Sequence, residues 1–355
     1  MAAIYNWKLA SVIRETADSI TVVFDTGSDR FKFKPGQFIN LTLIINGKPV
    51  SRSYSLSSCP DEDEAPAITV KRVDSGVMSE YILSHASEIN SWQVDGPYGF
   101  FYPSERSMQA RSVVLIGGGS GITPLYSMIK YFLKHTSVHV ILIDSNRTSD
   151  DVIFAKVLRE LEQRYPDRFV AWHILSRENK RAELPFNNSM PGRLGKLTLK
   201  KLIKRLTSDN PEESAFFVCG PSGLMALSEQ VISDLKIPSE NLHKEYFVPP
   251  SEEKKEVILP QVTQEVLLHF YEQTNLLEVE PGKTILEAAL NDRIPLTYSC
   301  KDGTCGTCVA KLTSGKVHMS RNFALREEHL EQGYILLCQS HPLNSEVTVE
   351  IGGLN

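Results

Sequence analysis

Three cysteines, Cys300, Cys305 and Cys308, stand in a C-x4-C-x2-C spacing, and a fourth, Cys338, follows thirty positions later. Thiolates so spaced hold a [2Fe–2S] cluster, the distant fourth sulfur completing the set. The intervening peptide carries Gly303 and Gly306 where the loop must curl tightly to aim three sulfurs at one cluster. The alternative is a structural zinc site. Zinc knuckles use paired C-x2-C arms or Cys/His mixtures, and only one such arm is present here. A one-electron centre needs a source of electrons, which the rest of the chain must supply.

A second chemical stretch is Gly117-Gly118-Gly119-Ser120-Gly121-Ile-Thr123-Pro124. It lies between the apolar run ending at Ile116 and the periodic segment Leu125–Leu133. The run reads as a buried parallel strand and the periodic segment as a helix, with Thr123 as its N-cap and Pro124 at its first position. Glycines between a strand end and a helix N-terminus form the usual seat of a dinucleotide pyrophosphate. The spacing departs from G-x-G-x-x-G, because Ile122 and Pro124 fall near the third glycine's place. Phosphate binding survives that departure; a standard Rossmann fingerprint does not.

Two further stretches look like parts of a cofactor site. In Val50–Ser58, period-two alternation puts Val50, Arg52, Tyr54 and Leu56 on one face, so a guanidinium for phosphate and a flat ring for stacking stand together. The competing reading is an unusual surface strand. Gly76 followed by Ser79 reads as a tight turn into a helix, whose free N–H groups suit an anion. Cys219 ends another apolar strand, at the edge where such sheets bind ligands, or serves packing alone.

The elements that must position these residues fall into three groups. The first hundred residues read as short strands with turns (7–15, 19–25, 36–45, then Asn46-Gly47), a small antiparallel barrel. From Ala110, strands at 111–116, 139–143, 169–175 and 214–218 alternate with helices at 125–133, 150–164, 197–206 and 224–235, a doubly wound parallel sheet. The Pro- and charge-rich 249–256 reads as linker, followed by strands at 264–270 and 276–279 and a helix at 284–291. The expected division is 1–106, 107–248, a linker at 249–261, and 262–355.

With 355 residues, 41% hydrophobic and 23% charged, the composition is that of a soluble globular protein, and no apolar run approaches bilayer length. Six cysteines, four of them in the cluster motif, point to a reducing compartment, and the expected location is cytoplasmic. The net charge of −5 is uneven: from Val262 onward twelve Asp/Glu face seven Lys/Arg, and the remainder balances. Such an acidic face steers a basic protein partner or merely keeps the surface soluble. No basic stripe speaks for nucleic acid.

Arg52-Ser53-Tyr54-Ser55, Gly76-Val-Met-Ser79, the Gly117–Pro124 loop, Cys219-Gly-Pro and the four cysteines, in this order, resemble the ferredoxin–NADP reductase superfamily carrying a C-terminal plant-type ferredoxin. The likeness spans essentially the whole chain, and its domain order is similar to the reductase subunit of phenylacetyl-CoA epoxygenase and reductases of related hydroxylases. The resemblance implies an antiparallel β-barrel flavin domain, an α/β doubly wound nucleotide-binding domain and an α+β β-grasp ferredoxin domain. It implies FAD held by Arg52, Ser53, Tyr54 and Ser55, by the backbone of Thr69, Val70 and Lys71, and by Gly76, Val77, Met78 and Ser79. Tyr54 would stack on the flavin ring and Ser55 approach its N5, with Glu245 as the acidic residue beside them. Gly117, Gly118, Gly119, Ser120, Gly121 and Thr123, with Cys219, Gly220 and Pro221, would hold NADPH or NADH. Arg147 after the second strand of that domain, and Ser176-Arg177 after the third, would meet a 2′-phosphate and favour NADPH; both arginines also read as ordinary surface residues. Cys300, Cys305, Cys308 and Cys338 would hold the cluster.

A reduced nicotinamide gives two electrons as a hydride, whereas a [2Fe–2S] cluster accepts one at a time, so a flavin stands between them. The expected partner is a protein electron acceptor, an oxygenase component of the di-iron or Rieske type. Alternatives are a desaturase reductase, a general flavin or ferredoxin-type reductase, and a redox sensor without sustained turnover.

Overall fold

A computed structural model describes residues 4–178, 184–249 and 257–352. They divide into two compact units, one of residues 4–97 and 101–247, the other of 98–100 and 248–352. Most of the expected linker, 250–256, lies outside the described residues.

The first unit begins with strands β1 (Ile4–Thr16), β2 (Ser19–Asp25), β3 (Phe38–Ile45), β4 (Lys48–Ser55), β5 (Ala67–Lys71) and β6 (Trp92–Tyr98). Their order is β4-β3-β6-β1-β2-β5, and a Leu56–Ile68 bridge ties the far end of β4 to β5, closing a barrel. The β3–β4 hairpin turns at Asn46 and Gly47, both at positive φ (52° and 74°), as a two-residue turn between right-twisted strands requires. Alternation along the strands sends Trp7, Phe24, Leu41, Ile68 and Trp92 into one apolar core. Strand β5 stops at Lys71. The chain turns at Ser75 and Gly76 into helix α1 (Val77–His85).

A single-turn helix α2 (Glu105–Met108) leads to the parallel sheet. Its strands are β7 (Ser112–Gly117), β8 (His139–Asn146), β9 (Phe169–Leu175), β10 (Ser189–Pro191), β11 (Ser214–Cys219) and β12 (Leu242–Glu245). They lie in the order β10-β9-β8-β7-β11-β12 and every pair is parallel. Helices α3 (Ile122–His135), α4 (Ala155–Arg164), α5 (Lys196–Leu206) and α6 (Ser222–Asp234) supply the crossovers. Chain direction along the sheet reverses between β7 and β11, so the loops after these strands open a crevice at the carboxyl edge.

Two helix starts differ from expectation. The N-cap of α3 is Gly121, not Thr123, whose hydroxyl instead donates to Ser120 O at 2.8 Å inside the first turn. The helix expected from Asp150 begins only at Ala155, because Phe154 adopts left-handed φ 64° and residues 149–151 form a separate tight turn. Strands β10 and β12 were not foreseen. They are three and four residues long and exist through pairing with β9 and β11, which local pattern does not encode.

The second unit holds β13 (Gln264–Phe270), β14 (Gln273–Val279), helix α7 (Ile285–Asn291), β15 (Val309–Ser314), β16 (Val317–Met319), helix α8 (Glu327–Glu331), β17 (Tyr334–Leu336), β18 (Ser340–Pro342) and β19 (Val347–Ile351). The main sheet, β14-β13-β19-β15-β17, is mixed: β13 and β19 run parallel, the other pairs antiparallel. Helix α7, capped by Thr284 in a reciprocal bond with Glu287, packs Ile285, Leu286 and Ala289 onto Val266, Leu268, Leu277 and Val349. This is the β-grasp arrangement. Among the described residues no helix is long and apolar enough to cross a membrane.

Candidate functional site

The cysteine loop is built by local backbone geometry. Lys301, Gly303 and Gly306 sit at positive φ (60°, 84° and 72°), which curls residues 300–308 so that main-chain N–H groups face the sulfurs. Asp302 N and Cys305 N donate to Cys300 Sγ at 3.5 and 3.4 Å, Thr307 N to Cys305 Sγ at 3.5 Å, and Cys338 N to Cys308 Sγ at 3.5 Å. Cys338 leaves β17 and meets the loop through its contacts with Cys300 and Cys308. Hydrogen bonds from Cys305 and Cys338 hold the Cys300 thiol far below the usual cysteine range, while its two donors are pushed up. All six cysteines are free thiols. The sulfurs touch in a chain, Cys305 to Cys300 to Cys338 to Cys308. Four thiols in contact under inward N–H donors, with a buried unpartnered Thr307 hydroxyl beside them, fit a [2Fe–2S] cluster.

Ser55, Cys219 and Glu245 come together from the barrel and the parallel sheet. Cys219 ends β11 and Glu245 ends β12, opposite each other in register, and Ser55 Oγ donates to Glu245 Oε2 at 3.4 Å. Part of Glu245 reaches solvent, but protein atoms enclose its carboxyl, and this burial raises its pKa to about 8 against the opposing Ser55 bond. Burial, helped by the Glu245 charge, pushes the Cys219 thiol well above its ordinary range. Tyr54 packs half-buried on the barrel core, and its hydroxyl is likewise raised by burial. Arg52 is exposed beside it, braced by Nη1 on Ser51 O at 2.7 Å. A guanidinium, an aromatic face, a hydroxyl and a protonated carboxyl in succession suit a flavin's phosphates, ring and N5 edge.

Not every expected residue offers its side chain to that face. Ser53 Oγ donates to Asn40 Oδ1 at 2.8 Å, and Thr69 Oγ1 donates to Ser57 Oγ at 2.9 Å. Lys71 Nζ is held by Asp18 at 2.7 Å, leaving the Thr69–Lys71 backbone as what β5 presents beside Val70, which is core. Ser79 Oγ closes the preceding turn, donating to Gly76 O and accepting from Val73 N, both at 3.1 Å. Met78 is buried in the barrel core and Val77 exposed.

The loops after β7 and β11 meet so closely that glycine is required. A Cβ on Gly121 would lie 2.1 Å from Cys219 O, and one on Gly118 would lie 2.8 Å from Ser145 O. A Cβ on Gly220 would lie 3.3 Å from Gly118 N. Beside Gly119 and Pro221 opens a pocket of about 640 Å³ lined also by Ser176, Arg147, Arg177 and Arg193. Among the described residues none of these three arginines forms an ion pair. Arg193 was not foreseen. It follows β10, and only the pairing of that short strand to β9 carries it to the pocket. The crowded glycines and three unpaired guanidinia fit a dinucleotide.

Three family models match in succession: an oxidoreductase FAD-binding domain over residues 6–102, an oxidoreductase NAD-binding domain over 115–230, and a 2Fe-2S iron-sulfur cluster binding domain over 269–343. A component of 1,2-phenylacetyl-CoA epoxidase from Escherichia coli K12 is 31% identical over 359 residues, covering 99% of this chain and 98% of its own. The ferredoxin reductase component of 3-ketosteroid-9-alpha-monooxygenase from Rhodococcus rhodochrous is 31% identical, covering 96% and 95%. Phthalate dioxygenase reductase shares the fold at a TM-score of 0.58 and 21% identity, over 98% of both chains. The chain therefore belongs to the family of three-domain reductases that serve oxygenases, oxidoreductases that use NAD(P)H, FAD and a [2Fe–2S] cluster.

Proposed function

We propose that this chain draws electrons from NADPH and delivers them singly to a protein acceptor, an oxygenase component of the kind its relatives serve. The observation that carries the reading is the convergence of Ser55, Cys219 and Glu245 at the edge where the glycine loops and the arginine pocket also open. When bound, FAD would supply the link between a two-electron hydride donor and a one-electron [2Fe–2S] cluster.

The residues place and protect. Arg52, with the α1 turn at Gly76–Ser79, would hold the flavin pyrophosphate, Tyr54 would cover the ring, and Ser55 would approach N5. Gly117–Thr123 and Cys219–Pro221 seat the nicotinamide nucleotide, the Cys219 side chain filling the space against the nicotinamide while remaining a neutral thiol. Glu245, protonated below about pH 8, holds a proton on the Ser55 side of the site without placing a charge there. Arg147, Arg177 and Arg193 supply three cations for a 2′-phosphate, which favours NADPH. The four cysteines hold the cluster.

An anaerobic absorbance titration of the FAD- and iron-loaded chain tests the path and the nucleotide together. NADPH is expected to bleach flavin and cluster bands at lower concentration than NADH. Equal response to both removes the 2′-phosphate assignment, and bleaching by neither removes the reading.

A further inference from the structure

We propose that Asp144 and Asn146 are positioning residues that lock the Gly119 turn into its nucleotide-receiving shape. The proposal rests on the nucleotide reading of this pocket. Asn146 ends β8, is 8% exposed, and lines the pocket. Its Nδ2 donates to Asp144 Oδ2 at 2.7 Å and its Oδ1 accepts from Gly119 N at 3.2 Å. Its main-chain carbonyl accepts from Ser176 N at 2.9 Å and from Ser176 Oγ at 3.2 Å, and the next carbonyl, of Arg147, accepts from Arg177 N at 2.7 Å. One residue thus ties together the carboxyl ends of β7, β8 and β9, three of the strands whose loops line the pocket.

Asp144 explains why the amide faces as it does. It is 1% exposed, and among the described residues it has no Lys or Arg partner. His173 Nδ1 stands 3.5 Å from Oδ2, and Oδ1 is unbonded. The Asp144 Oδ2 accepts from the amide NH2, which leaves the amide oxygen facing Gly119. The reversed amide would set oxygen against carboxylate and NH2 against N–H. Close packing at Gly118 and Gly121 and the Gly121 N to Gly118 O bond at 3.1 Å hold the turn from either side, whereas at Gly119 itself, φ +56°, nothing lies within 4 Å of where a Cβ would stand. The Asn146 bond is what fixes the direction of the Gly119 N–H. The Gly119 N–H is occupied by that bond, so the pair contributes loop shape rather than a phosphate donor.

The test measures KM and kcat for NADPH and NADH, Kd for 2′,5′-ADP, FAD content and Tm of the loaded chain. Asn146→Ala is expected to raise KM for both nucleotides and Kd for 2′,5′-ADP about tenfold, with kcat and FAD content near native and Tm lowered by the lost bond to buried Asp144. Asn146→Asp sets two carboxylates against each other and loses more. Combining it with Asp144→Asn reverses the polarity of the pair: the amide at 144 donates to the carboxylate at 146, whose other oxygen still accepts from Gly119 N–H. That double variant is expected to recover to within about threefold of native. A merely structural role would lower Tm and FAD content without this recovery. The proposal is overturned if Asn146→Ala leaves KM for both nucleotides unchanged, or if the double variant binds no better than Asn146→Asp. Should Asn146→Asp lose its FAD, Asn146→Ala decides. A native chain that oxidises neither nucleotide overturns the nucleotide reading itself, a result distinct from native turnover that Asn146→Ala leaves intact.

Discussion

The cysteine loop draws three of its four sulfurs from nine consecutive residues, whereas Ser55 and Glu245 meet across 190 positions of chain. The first centre is made by positive-φ backbone at Lys301, Gly303 and Gly306, with main-chain N–H groups as its inner lining. The second exists only because the barrel packs on the parallel sheet and because β12 adds itself beside β11 in register. A locally encoded centre tolerates change elsewhere in the fold. A centre assembled from separate elements fails when their packing shifts, even if its own residues are untouched.

The sharpest way to separate the two is Cys305→Ser. It is expected to abolish the cluster absorbance and cut NADPH-driven reduction of a one-electron acceptor such as cytochrome c at least about 100-fold, while flavin bleaching by NADPH continues. Loss of flavin bleaching as well would mean that the two centres are not separately built. Gly121→Ala attacks the assembled centre from outside. Its backbone, at φ −63°, accepts alanine, so the cost is the Cβ standing 2.1 Å from Cys219 O, expected at about 3 kcal/mol in urea unfolding and in weakened nucleotide binding. An unchanged midpoint would show that the loops after β7 and β11 can part freely.

Glu245→Gln probes the centre's charge. The folded carboxyl titrates at about 8 and the unfolded one at its ordinary value of 4.5, so the folded chain holds the extra proton between them. Stability from this group is full below about pH 4.5 and falls as pH rises through about 8. The glutamine variant is expected to lose that slope and to slow flavin reduction about tenfold. A slope that persists assigns it to another group. The smallest effect belongs to Thr284→Ala, which removes the α7 cap and its bond to Glu287 N at 3.2 Å. About 1 kcal/mol is expected in the unfolding of the C-terminal unit, with flavin reduction by NADPH unchanged.

Much of the site was legible in the sequence where one stretch carried the whole geometry. The C-x4-C-x2-C spacing, the glycine run after an apolar strand and the Asn46-Gly47 turn each state their own conformation. Helix starts were less legible. Thr123 and Pro124 make a convincing cap on paper, yet the close approach of Cys219 O requires a glycine at 121, and the helix begins there instead. Phe154 holds back α4 by a left-handed turn that no residue type announces.

The sequence by itself determined the three successive domains, the thiol set and the glycines of the loop after β7, because backbone freedom and side-chain chemistry at short spacing are local properties. Only the tertiary structure decided that Arg193 joins Arg147 and Arg177, that Asn146 reaches Gly119, and that Glu245 carries a proton near neutral pH. Each of these depends on strand pairing and on burial, free energies that belong to the assembled sheet and to no single stretch of chain.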